Sequence, residues 1–96
     1  LEQLQASAGQ AAALLKAMSN PRRLLILCML CGTPGTSAGD LARATGLSPS
    51  ATSQHLARMR EEGLIDSTRE AQRILYFIKN DAVHQLISTL KSLYCP

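Results

Sequence analysis

The stretch SPSATSQHLARMREEGL, residues 48–64, has the outline of a helix, yet its first turns carry Ser50, Ala51, Thr52 and Ser53, which propensity alone would not select. Ser48 before Pro49 is a cap followed by a proline at the first helical position, and Gly63 is a stop. A helix is therefore expected from Pro49 to about Glu62. Thr52, Leu56 and Met59 form its inward stripe, which leaves Ser50, Ser53, Gln54, Ala57 and Arg58 outward. That face is small at its N-terminal end. It can sink into a major groove and offer hydroxyl, amide and guanidinium groups to base edges or phosphates. Free N–H groups and the positive end of the dipole add attraction for a phosphate. Taken alone, the same residues also fit a capped helix with a solvated face, so the neighbouring segments decide.

Upstream, TGLS joins this helix to a short one at AGDLARAT, where Ser37 and Asp40 can cap one another and Gly46 ends the helix. Two short helices so joined make a helix-turn-helix. The preceding GTPGTSAG reads as a loop. Downstream, LIDSTREAQRILYFIK alternates and then turns β-branched and aromatic, which predicts a two-stranded ribbon with a charged tip. Arg69 and Arg73 flank a tip of Glu70, Ala71 and Gln72, a layout fit for phosphates or a minor groove beside the recognition helix. Helix and ribbon at this separation favour double-stranded DNA as the partner. The candidate contacts are Ser48, Ser50, Ser53, Gln54, His55, Arg58, Arg69, Gln72 and Arg73. His55, between stripe and groove face, fits packing or a base contact. Arg58 and Arg60 fit phosphates or pairing with Glu61 and Glu62.

The flanks complete the architecture. Leu4, Ala8, Ala11, Leu15 and Met18 make the narrow stripe of a helix that packs along one partner, such as a second copy. Asn20 and Pro21 open a second helix, RRLLILCMLC, apolar nearly all round and expected at the centre of the fold. Asn80 caps a last helix with Val83, Leu86, Ile87, Leu90, Leu93 and Tyr94 on one face. The fold expected is mainly α with a two-stranded β-wing: a winged helix-turn-helix with N- and C-terminal dimerisation helices, in one domain over residues 1–96.

Composition agrees without deciding. Ninety-six residues, 46% apolar, suffice for one core. The net charge of +3 suits nucleic acid only weakly. One Phe, two Tyr and no Trp argue against stacking platforms for single strands. The first residues lack a signal-peptide layout and the longest apolar run, Leu24 to Cys31, is too short to span a bilayer, so a cytoplasmic protein without membrane contact is expected.

Three cysteines in such a chain read as thiols rather than a disulfide scaffold. Cys28 among leucines fits an inert buried thiol. Cys95, beside the end of an amphipathic helix, is placed to reach a partner. Cys28 and Cys31 form a C-x-x-C, but the motif closes a helix instead of opening one after a strand, which argues against thiol-exchange enzymology and leaves Cys31 structural or auxiliary. No catalytic residue, metal site or cofactor is expected.

The segments LKAMSNPRRLLILCML, LSPSATSQHLARMREEGLI and QRILYFIK resemble the ArsR-type winged-helix repressors across nearly the whole chain. Cys28 within LLILCML and the terminal SLYCP are similar to the dithiol subgroup that includes BigR, SqrR and HlyU. The resemblance implies a homodimeric transcriptional repressor that senses reactive sulfur species or oxidants through Cys28 and Cys95 and then releases operator DNA. It also implies that metal sites are absent, since TSAGDLA holds no Cys-x-Cys and Asp81 and His84 are one residue too far apart for an Asp-x-His pair. Two alternatives stay open: the same repressor answering a soft metal, organometal or haem at its thiols, and a winged helix used for protein contacts.

Overall fold

A computed structural model describes residues 1–95. Helix α1, Glu2–Met18, leads through Ser19 and Asn20 into α2, Pro21–Gly32. The Asn20 side chain accepts from the backbone N–H groups of Arg22 and Arg23, at 2.9 and 3.1 Å, so the cap and Pro21 fix where α2 begins. A short strand β1, Thr36–Ser37, precedes α3, Ala38–Thr45, and α4, Pro49–Glu61. The ribbon is β2, Ile65–Glu70, and β3, Arg73–Ile78, and α5, Asp81–Tyr94, follows from an Asn80 cap.

The sheet differs from expectation in one respect. It has three antiparallel strands in the order β1-β3-β2, because Thr36 and Ser37 pair with Tyr76 and Leu75. Two residues are too few to carry an alternating pattern, so the segment reads as loop until β3 is beside it. The Thr36 hydroxyl donates to the Thr33 carbonyl at 2.5 Å and holds the turn that delivers the strand.

One core joins the elements: Met18, Ile26, Leu27, Leu30, Leu41, Leu56, Met59, Leu64, Ile65, Val83 and Ile87. Thr52 is also fully buried, and its hydroxyl donates to the Ser48 carbonyl at 2.9 Å, which satisfies the polar group inside the core. The inward stripe of α4 is thus the one the spacing predicts, and it fixes which residues face outward.

The terminal helices are less buried than their patterns suggest. Of the α1 stripe only Met18 enters the core, while Leu4 and Leu15 are 68% and 54% exposed. On α5, Val83 and Ile87 are buried, yet Leu93 and Tyr94 are 68% and 78% exposed. Even α2 is not enclosed, since Leu25 is open to solvent. Helix α1 is about 25 Å long at 1.5 Å per residue, in a molecule that measures 49 Å along its longest axis. A groove lined by Ala11, Leu14, Leu15, Ala82, Gln85, Leu86 and Thr89 lies between α1 and α5.

Candidate nucleic-acid interface and thiol seam

Helix α4 is started by Ser48, whose hydroxyl accepts from the Ala51 N–H at 3.0 Å. Ser50, Ser53, Gln54, Ala57 and Arg58 are exposed on its outer face, as the stripe requires. His55 is half-buried. It lines an open cleft of about 890 Å³ between the end of α1 and α4, with Lys16, Asn20, Arg23, Gln54, Arg58 and Glu62. Burial pushes its pKa below the ordinary 6.5, and the charges of Arg23, Arg22 and Arg58 push the same way. Both effects favour the neutral imidazole.

Arg58 and Arg60 part company. Arg60 pairs with Asp66 at the base of β2 at 3.3 Å, and Lys79 reaches the same carboxylate at 4.0 Å. The Ser67 N–H, with these cations, holds Asp66 below the usual carboxylate range. Glu62 pairs with Arg23 at 2.9 Å instead of with its own helix. Among the described residues Arg58 makes no ion pair, so its guanidinium stays available on the outer face.

At the wing, Glu70 pairs with Arg73 in the ladder, which leaves Ala71 and Gln72 as a two-residue tip. Ala71 has φ 58°, a left-handed conformation that L residues adopt at a cost of roughly 1–2 kcal/mol. The Arg69 Nε donates to the Ala71 carbonyl at 3.3 Å. Arg73 is not loose: its Nη2 donates to Asp40 Oδ2 on α3 at 3.0 Å, and Arg43 binds the other oxygen. Arg43, then the Ser37 hydroxyl, keeps the Asp40 carboxyl below its usual range. Wing and helix-turn-helix are thus tied through one carboxylate. Asp40 had been legible only as a capping partner of Ser37, and the Ser37 hydroxyl does accept from the Asp40 N–H at 3.2 Å. Lys16 and Arg23 line the cleft and Arg43 shares the Asp40 carboxylate, placements that no local motif announces.

The thiols gather where α2 meets α5. Cys28 and Cys31 are half-buried and Cys95 is exposed at the C-cap of α5, where its N–H donates to the Lys91 carbonyl at 2.8 Å. Burial pushes the Cys28 thiol up, and negative charge on Cys95 and Cys31 adds to this while Lys91 opposes it. Lys91 Nζ lies 3.4 Å from the Cys28 carbonyl oxygen. Cys31 Sγ lies 3.7 Å from His84 Nε2 and 3.4 Å from Ser88 Oγ. Among the described residues no group of three or more His, Cys, Asp or Glu side chains could hold a metal ion, and no helix is long and apolar enough to cross a membrane.

Residues 20–67 match the family described as bacterial regulatory protein, arsR family. The chain is 78% identical over 96 residues to the HTH-type transcriptional regulator YgaV of Escherichia coli, covering all of this chain and 97% of that protein. Its fold is similar to reduced HlyU from Vibrio cholerae, with a TM-score of 0.92, 43% identity and full coverage of both chains. It is also similar to the homodimeric winged helix-turn-helix DNA-binding domain Mb0332 of Mycobacterium bovis, with a TM-score of 0.79 at 29% identity, covering 97% of this chain and 85% of that one.

Proposed function

Because the chain belongs to the arsR family of bacterial regulatory proteins, we propose that it is a homodimeric repressor that leaves operator DNA when reactive sulfur species bridge Cys28 and Cys95. The apolar faces of α1 and α5 would pair across a two-fold axis and set two copies of α4 about 34 Å apart, in successive major grooves. The exposed Leu4, Leu15 and Leu93 support this, as does the homodimeric state of the Mycobacterium bovis domain. Base edges would be read by Ser50, Ser53 and Gln54. Phosphates would be held by the Ser48 end of α4, Arg58, Arg69, Gln72 and Arg73. His55 would serve the cleft behind α4 rather than a base.

The observation that supports the sensing step is the contact of the last turn of α5 with α2: Lys91 Nζ lies 3.4 Å from the Cys28 carbonyl oxygen, and the Lys91 carbonyl accepts from the Cys95 N–H at 2.8 Å. A direct disulfide needs Cα atoms roughly 4.4–6.8 Å apart, and an added sulfur atom would span a longer gap. Joining α5 to α2 would change the seam between the dimer helices and the core. A tenfold loss of DNA affinity requires only about 1.4 kcal/mol.

A gel shift tests the reading. Reduced protein should bind a near-palindromic operator fragment and persulfide-treated protein should release it, with Cys28 and Cys95 linked in the released fraction. Cys95→Ser should bind equally well and resist release. Equal release from that variant would remove Cys95 from the mechanism.

A further inference from the structure

Three groups of the α2–α5 seam have no part in that reading: Cys31, His84 and Ser88. The imidazole and hydroxyl stand four residues apart on α5, hence on one face, and both reach the same sulfur, at 3.7 and 3.4 Å. Cys28 lies one helical turn away from Cys31, close enough for negative charge on Cys31 to raise its thiol. Lys91 Nζ lies 3.0 Å from where a Cβ on Gly32 would sit, which puts an ammonium over the residue next to Cys31.

We propose that Cys31 is the entry thiol for sulfur at this seam, with His84 as the group that takes its proton. This rests on the Cys28–Cys95 reading above and adds how sulfur reaches that pair. Cys28 is a poor first nucleophile, since burial and Cys95 both favour its protonated form. Cys31 has an imidazole in contact and an exposed route to solvent through His84. The ligand class is a low-molecular-weight persulfide, RSSH, attacked in its neutral form, and the Lys91 ammonium would favour the thiolate that leaves.

In the first step Cys31 sulfur attacks the outer sulfur of RSSH. The RS–SH bond breaks, His84 takes the thiol proton and passes it to the leaving RS⁻, and the products are Cys31–SSH and RSH. In the second, Cys28 sulfur attacks the outer sulfur of Cys31–SSH, giving Cys28–SSH and the Cys31 thiol. In the third, the Cys95 thiolate attacks the Cys28 sulfur that carries the SH group, which forms the Cys28–Cys95 disulfide and expels sulfide. One persulfide is reduced and two thiols are oxidised. A bridge one sulfur longer needs a second transfer.

The test uses the full chain and glutathione persulfide, with samples trapped by alkylation over time and sites assigned by tandem mass spectrometry. In Cys28→Ser a one-sulfur adduct should accumulate on Cys31. In Cys31→Ser linkage of Cys28 to Cys95 should start at least about tenfold more slowly, yet reach the same end point. His84→Ala should slow adduct formation on Cys31, and free imidazole should restore it, a rescue that a purely structural role would not show. Linkage of Cys31→Ser at the wild-type rate, or a first adduct on Cys95 in Cys28→Ser, overturns the entry role. Should wild-type protein carry the Cys31 adduct but never link Cys28 to Cys95, the paired-cysteine switch fails and the entry thiol stands.

Discussion

Arg73→Ala separates a phosphate contact from a structural one. Arg73 sits at the wing tip with its guanidinium bound to Asp40 at 3.0 Å, both partners well exposed at 62% and 44%. An ion pair so open adds little to folding, so the variant should melt within about two degrees of the wild type. Its effect on DNA should be larger. Each phosphate neutralised contributes about 0.9 to the slope of log affinity against log salt, so one arginine per protomer contributes about 1.8 in a dimer. Between 50 and 200 mM salt a slope of that size changes affinity by about twelvefold. Fluorescence anisotropy on a labelled operator across that range should show the wild-type advantage shrinking by this factor. Asp40→Asn, which frees the same guanidinium together with that of Arg43, should shift affinity the other way, and by less in the Arg73→Ala background. A lowered affinity with an unchanged slope would refute the phosphate role and leave Arg73 as a strut between wing and α3.

Gln54→Ala should flatten base preference at one position of each half-site, at a cost of about 1–3 kcal/mol for the preferred base, with the salt slope unchanged in a competition titration. Leu15→Glu should put charge on the exposed stripe of α1 and convert the dimer to monomer in sedimentation velocity; an unaltered dimer would place the interface elsewhere. Because His55 titrates below its unfolded value of 6.5, the unfolded chain binds the proton first as pH drops. Stability is full above that value and is lost as pH falls through the folded one. His55→Gln should flatten this acid limb in urea titrations. Glu62→Gln should leave reduced protein bound to DNA and weaken the release caused by sulfur bridging, as gel shifts before and after persulfide would register.

Local chemistry was legible and distant pairing was not. Ser48, Pro49 and the stripe of Thr52, Leu56 and Met59 lie within a few turns of one another, so caps and spacing suffice to orient α4. The same holds for Asn20 with Pro21 and for Gly46, whose φ of 75° is the left-handed stop the sequence announces. The ion pair of Asp40 with Arg73 spans 33 residues and the contact of Cys31 with His84 spans 53, and no periodicity encodes either. Strand β1 failed for shortness. The stripe of α1 does lie on a helix, but only Met18 of it enters the core of the single chain, and Leu4 and Leu15 stand in solvent.

In the proposed switch, helix α2 is the element that would carry a thiol event to α4. Its C-terminal half carries Cys28 and Cys31 against α5, and its first turn carries Arg23, only 11% exposed, bound to Glu62 just past α4 and to the Ala17 carbonyl at the end of α1. Twelve helical residues make a rod of about 18 Å, packed through Ile26, Leu27 and Leu30 into the core. A rod so held does not bend to absorb a shift at one end, because close-packed interiors transmit displacement. Bridging α5 to α2 would therefore bear on α1 and α4 through Arg23. Spatial continuity alone does not establish coupling, and for that reason Glu62 matters: among the described residues it is the one acidic side chain paired with this rod, it lies just past α4, and its replacement keeps the thiols and the proposed DNA contacts in place.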